Sequence, residues 1–254
     1  MPEYLPQYAP EIIVLDDARS AEAHSAKLII DQVVQKPDSV LTLPTGGTPV
    51  GVYELLVEAH RLGAVDFSGI TALNLDEYWP IDRDHQSSYA RYMQDNLFNH
   101  LNIPAQNINI PNGQAEDVDA EAERYKALID NVTINLGFVS IGPGETCHVA
   151  FNERGSTVNS RARYVMLDPE TVQANLQNFK EPAEMPLGAI TQGIADILSA
   201  ERLLFLATGA HKAWGVARSF EGKIGPDAPA SFLRLHPAVT VVLDRDSASL
   251  LSKT

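Results

Sequence analysis

Asp76 and Glu77 stand side by side at the end of an apolar run, ITALNLDE from Ile70. Successive residues of a strand point to opposite faces, so these two carboxylates should not share one task. A partly buried carboxylate suits a general base that moves a proton between two carbons beside a carbonyl. A helix or turn cap is the competing use of Asp76. His148 lies five residues before Glu153 in the loop GPGETCHVAFNE, Gly142 to Glu153. An imidazole whose tautomer is fixed by a carboxylate is a common acid–base catalyst, while a lone histidine more often serves as a structural hydrogen-bonder. No third ligand follows His148 and Glu153 at recognisable spacing, so a metal site has weak support. Cys147 is a lesser candidate nucleophile, because its neighbour His148 projects elsewhere and would not serve as its base.

Two glycine turns suit an anion. The first is LPTGGTP, Leu43 to Pro49, between an apolar run and a helical pattern that begins near Pro49. Adjacent glycines admit close backbone approach, and free N–H groups at a helix start attract phosphate. No lysine follows the second glycine, so the pattern departs from the P-loop and a nucleotide is not the first expectation. A plain tight turn is the competing reading. The second turn is Thr208-Gly209-Ala210-His211-Lys212, with a lysine in the first turn of the next helix.

Something must hold these groups together. Eight apolar runs read as strands: IIVLDD from Ile12, SVLTL from Ser39, ITALNLDE from Ile70, INLGFVSIG from Ile134, RYVML from Arg163, AIT from Ala189, LLFLAT from Leu203 and VTVVLD from Val239. Amphipathic stretches of helical length separate them, which predicts a three-layer α/β fold with a mostly parallel, doubly wound sheet. Ligands of such sheets bind beyond the carboxyl ends of the strands, where Asp76, His148 and both glycine turns are expected. Residues 1–254 read as a single domain. The irregular, proline-containing segment from about Thr171 to Pro186 reads as a lid over that edge or as a solvated connection.

Composition narrows the partners. The 254 residues are 44% hydrophobic and 20% charged, with a net charge of −14. That charge repels nucleic acid and acidic membrane surfaces on average, while a local cradle still admits a small anion. One cysteine excludes an internal disulfide and fits a reducing compartment. The N-terminal residues lack a signal-peptide pattern, and no apolar stretch reaches ~18 residues, so a cytoplasmic protein without membrane contact is expected.

LPTGGTP, then LDEY, then a glycine loop ending in HVAFNE, then ATGAHKA and a late Leu-His pair resemble the glucosamine-6-phosphate deaminase (isomerase) family. GGTPVGVYELLVEAHRLG, DHQSSYARYM and GSTVNSRAR extend the resemblance over nearly the whole chain. The superfamily also holds the 6-phosphogluconolactonases. The resemblance implies aldose–ketose isomerisation of an amino-sugar 6-phosphate with loss of ammonia. It casts Asp76 as the base that carries the C2 proton to C1, His148 as the ring-opening group and Glu153 as its support. Thr45, Gly46, Gly47, Thr48 and Lys212 would hold substrate oxygens and phosphate. It implies a small-molecule sugar phosphate as partner and no metal or organic cofactor, and it leaves a homo-oligomer open. A lactonase-like hydrolase and a non-catalytic sugar-phosphate-binding protein are the alternatives.

Two positions depart from the family pattern. The family places Asp-Gly before its histidine, whereas this chain has Pro143-Gly144-Glu145-Thr146-Cys147-His148, with Thr146 where the aspartate aligns. Glu145 is the candidate replacement carboxylate. In the lid the family has a phosphate-binding arginine after an Ala-Asn pair, and here Ala174-Asn175 precedes Leu176 and Gln177. A neutral amide makes no charge-assisted contact to phosphate, so Arg154 or Lys180 compensates or the substrate differs. Val165 stands where allosteric members carry a lysine, although Ser156 and Arg163 are retained, and that activation is not expected.

Overall fold

Apolar runs such as LLFLA and VTVVLD become strands buried on both faces, the IIVL run becomes a largely exposed edge strand instead, and the amphipathic stretches between the runs become the covering helices. The computed structural model describes residues 7–142 and 146–252. In chain order the elements are β1 (Glu11–Leu15), α1 (Ala18–Gln35), β2 (Val40–Leu43), α2 (Val50–Arg61), β3 (Thr71–Asn74), β4 (Asp76–Trp79), α3 (Tyr89–Asn96), β5 (Ile108–Asn109), α4 (Val118–Asp130) and β6 (Leu136–Ser140). There follow β7 (Arg163–Met166), α5 (Pro169–Asn175), β8 (Gly188–Thr191), α6 (Ile194–Ile197), β9 (Leu203–Ala207), α7 (Ala213–Phe220), β10 (Val239–Asp244) and α8 (Arg245–Ala248). Seven strands form one parallel sheet in the order β1-β10-β9-β6-β2-β3-β5.

The two-residue period of the strands sorts their side chains into two cores. Leu203, Phe205 and Ala207 pack with Val216 of α7 and Ile197 of α6. Leu204 and Leu206 pack on the other face with Ile29 of α1 and Tyr53 of α2. The expected three-layer α/β arrangement is therefore the one that forms.

One run behaves differently from its sequence pattern. Ile70 to Glu77 was expected as a single strand, but β3 ends at Asn74 and β4 begins at Asp76 in another sheet. Leu75 is the joint: its N–H reaches Leu43 O at 3.2 Å, while its carbonyl accepts from Gln192 N at 2.8 Å. Gln192 Nε2 also donates to Asn74 O at 3.0 Å. The runs RYVML and AIT, expected in the parallel sheet, supply β7 and β8 of this antiparallel sheet, ordered β4-β8-β7.

A third apolar cluster joins that small sheet to the segment expected as a lid. Tyr78 and Ala189 of the sheet pack with Phe151, Leu167, Phe179 and Met185. Residues 169–186 fold as α5 and two 3-10 turns, Leu176–Asn178 and Pro182–Glu184, rather than as an unstructured connection. Ser87 Oγ donates to Asn178 O at 2.6 Å, and His85 stacks on Phe179, so the segment is seated on the loop before α3.

Candidate active site

Four neighbouring strands, β3, β2, β6 and β9, direct their carboxyl ends into one cavity of about 550 Å³. From β2 the chain proceeds to β3 on one side, while β6 lies on the other, so the cavity sits where the winding direction changes. It is lined by Thr45 to Thr48, Asp76, Gly142, His148 and Lys212, and by Gln177 and Asn178 of the turn after α5. Three inter-strand steps separate the β3 end from the β9 end, roughly 14 Å. Asp76 therefore occupies one end and Lys212 the other.

Asp76 is 5% exposed and opens β4. Burial, reinforced by the charge of Glu77, raises its pKa well above the ordinary carboxylate range. Glu77 points the other way, as strand geometry requires. Its Oε1 accepts from the N–H groups of Tyr78 and Tyr89 and its Oε2 from that of Ala90, each at 2.8–2.9 Å. Glu77 thus anchors the start of α3. Burial pushes its pKa up to about 7, with the backbone donors opposing that rise.

His148 is held from its Nδ1 side. Thr146 Oγ1 lies 2.7 Å from Nδ1, Thr171 Oγ1 at 3.3 Å and Glu153 Oε2 at 3.5 Å. The nearest oxygen is thus a hydroxyl from the position where the family aspartate aligns, not a carboxylate. Glu153 sits behind the histidine, too far for a short hydrogen bond but close enough to act as its counter-charge. Burial pushes the Glu153 carboxyl up, and His148, Thr171 and the Asp168 N–H together overcome it, leaving the group below its ordinary value. Glu145, with Pro143 and Gly144, lies outside the described residues.

The imidazole rests on Gly142. A Cβ there would fall 1.8 Å from His148 Nε2, so no larger residue fits under the ring. Gly142 N–H donates to His148 O at 3.0 Å, closing the loop on itself. Cys147 and Ala150 both take positive φ, 50° and 51°, a conformation that side chains with a Cβ adopt at a cost. Cys147 is fully buried in the core, with its Sγ 3.9 Å from Gly215 O, which removes it from the role of nucleophile.

The two glycine turns meet across β6. Gly46 has φ of +107°, which calls for glycine, and the space beside Gly47 is open. Tyr92 Oη donates to Gly46 O at 2.7 Å and Tyr53 Oη to Pro44 O at 2.5 Å, so the turn is braced from the α2 and α3 side. Helix α2 starts at Val50, and Pro49 before it offers no side-chain cap, leaving the first N–H groups of the helix for another acceptor. Lys212 is 7% exposed and donates to Ile141 O at 2.6 Å. Burial lowers its pKa to about 8.

Arg154 and Lys180, considered as substitutes for a lid arginine, do not line the cavity, and Arg154 pairs with Glu170 at 3.1 Å. Gln177 does line it, with its Nε2 turned to Ala174 O at 3.2 Å. Sequence reasoning passed over Tyr89, Thr171 and His211 as site residues. Thr171 and Tyr89 come from the lid segment and the α3 start, whose docking no local pattern announces, whereas His211 stood in a turn already singled out. Among the described residues no group of three His, Cys, Asp or Glu side chains is placed to hold a metal. No described helix is long and apolar enough to cross a membrane.

Known proteins share this arrangement. The family model described as glucosamine-6-phosphate isomerases/6-phosphogluconolactonase matches residues 16–242. A glucosamine-6-phosphate deaminase of Rhodopirellula baltica is 44% identical over 96% of this chain and 96% of its own length. One of Clostridium botulinum (strain Loch Maree / Type A3) is 39% identical over 95% and 98%. The solved structure of a monomeric glucosamine-6-phosphate deaminase superposes with a TM-score of 0.91 at 39% identity, covering 94% of this chain and 99% of that one. The 6-phosphogluconolactonase of Trypanosoma brucei, at 19% identity and a TM-score of 0.77, shares the fold. With a family match over most of its length, full-length relatives near 40% identity and the strand-end cavity in place, this chain belongs to the glucosamine-6-phosphate isomerase/6-phosphogluconolactonase family.

Proposed function

We propose that the chain converts glucosamine 6-phosphate, or a close amino-sugar 6-phosphate, with water into a 2-ketose 6-phosphate and ammonia. The observation that carries this reading is the meeting of a buried carboxylate, an imidazole and two anion-suited turns in one cavity. In this reading the phosphate lies between Gly46, Gly47 and Lys212, which sets the sugar's far end toward Asp76. His148 uses Nε2 to move the proton between the C1 hydroxyl and the ring oxygen, opening the ring. Asp76 then takes the C2 proton to give an enolamine and returns it to C1, forming a C2 iminium. Water adds at C2, ammonia leaves and the ketone remains. Each step is a proton transfer, the addition of water or the expulsion of ammonia, so the route calls for no metal or organic cofactor.

The same proposal places the protein in a reducing, cytoplasmic setting without nucleic-acid partners, supported by one cysteine and a net charge of −14. Turnover of glucosamine 6-phosphate in deuterated water tests it. Ammonia release with deuterium at C1 of the ketose, acquired where the proton held by Asp76 exchanges with solvent before its return, supports the reading. Hydrolysis of 6-phosphogluconolactone with no exchange into glucosamine 6-phosphate would replace it with the lactonase reading.

A further inference from the structure

Lys212 is the buried cation at the phosphate end of the cavity, and part of its hydrogen-bonding capacity is spent on Ile141 O. Residues 169–186 bring only neutral side chains to that lining: Ala174, Asn175, Gln177 and Asn178. A phosphate dianion would therefore face one lysine and backbone N–H groups unless another side chain supplied charge. The other basic residue lining this end is His211, which precedes Lys212 in the 3-10 turn Ala210–Lys212 that leaves β9.

That turn is held rigidly. Asp244, at the end of β10, accepts the Gly209 N–H at 2.9 Å and 3.1 Å through its two oxygens. The His211 ring lies against Gly209, where a Cβ would fall 3.0 Å from both Cε1 and Nδ1 of the imidazole. The ring is exposed at the cavity rim, and among the described residues it makes no hydrogen bond. Its ring nitrogens remain available to a ligand.

We propose that His211 is a phosphate-binding residue, making the second charge-assisted contact to the substrate's 6-phosphate from the sheet side of the cavity. This rests on the sugar-phosphate reading above. The charged groups acting on the ring are Lys212 on its own turn and Asp244 at the end of β10, while of the helices packed against the turn α8 carries Arg245 and Asp246 and α7 carries Arg218. Burial and Lys212 lower the pKa of His211 in the empty site, against the pull of Asp244. A bound dianion raises it, so binding takes up a proton. The benefit is full at pH below the empty-site pKa and is lost as pH rises through the pKa of the complex.

The test is binding of inorganic phosphate to the full chain and to H211A by calorimetry between pH 6 and 8. H211A should bind about 10-fold more weakly at pH 6, the loss of one charged hydrogen bond. The difference should shrink toward pH 8. With glucosamine 6-phosphate the loss should appear in KM rather than kcat. Phosphate affinity of H211A within twofold of the parent at pH 6 overturns the proposal. If H211A fails to fold, H211N is judged by the same criterion. Because phosphate binding is measured without turnover, a chain that binds phosphate through His211 yet deaminates no amino sugar refutes the functional reading alone.

Discussion

Asp76 has to lose its proton before it can take one from carbon. Its raised pKa means the basic form appears only above the ordinary carboxylate range, so kcat/KM should climb with pH along an acid limb shifted upward. At the other end of the cavity, Lys212 loses its charge as pH passes about 8, and kcat/KM should fall there. Substituting Asp76→Asn keeps the shape and removes the basicity. Turnover should drop by ~10²-fold or more while phosphate binding persists. An unchanged rate would take Asp76 out of the mechanism. His148 offers a second check at this scale, because a hydroxyl stands closest to its Nδ1. Thr146→Val should cost roughly 10-fold in kcat, about one hydrogen bond, and Thr146→Asp should recover activity by restoring a carboxylate. A Thr146→Val enzyme as fast as its parent would leave Glu153 or Thr171 as the group that orients the ring.

Helix α3 begins where it does because a carboxylate from β4 accepts its first N–H groups, and that same strand carries Asp76. Folding raises Glu77 from 4.5 to about 7, so the folded chain binds more protons than the unfolded one between those values. Its contribution is therefore fully present below about pH 4.5 and lost as pH rises through 7. Whatever Glu77→Gln costs at pH 5, the penalty should shrink by roughly 2–3 kcal/mol by pH 8. Denaturant melts at the two pH values measure this, and a constant penalty would contradict it. The elements also show what could be read beforehand. Strands β2, β6, β9 and β10 are buried on both faces, so their unbroken apolar runs announced them. The break at Leu75 was illegible because Asn74 and Leu75 are tied by Gln192, more than a hundred residues later in the chain. Asp76, His148, the glycine turns and Lys212 were visible by residue type at strand ends. Thr146 as the nearest oxygen to the imidazole was not, since that contact depends on how the ring is seated against Gly142.

Across the whole molecule, an anion should settle where the two halves of the winding meet. Crystals grown with sulfate should show it on the N–H groups of Gly46 or Gly47 and within reach of Lys212 Nζ. Sulfate confined to other surfaces would undo the assignment of the phosphate end. The order of the main sheet has another implication, for how the chain is made. Among the described residues, strand β1 pairs only with β10, over 200 residues further along. At 5–20 residues per second a ribosome leaves β1 unpaired for roughly 10–45 s. During that interval an apolar segment waits with no strand partner, and a nascent chain stalled before Val239 should remain open to protease at residues 11–15. Emergence of β10 would then pair β1 into the sheet, making that one strand the trigger that protects residues 11–15 from protease.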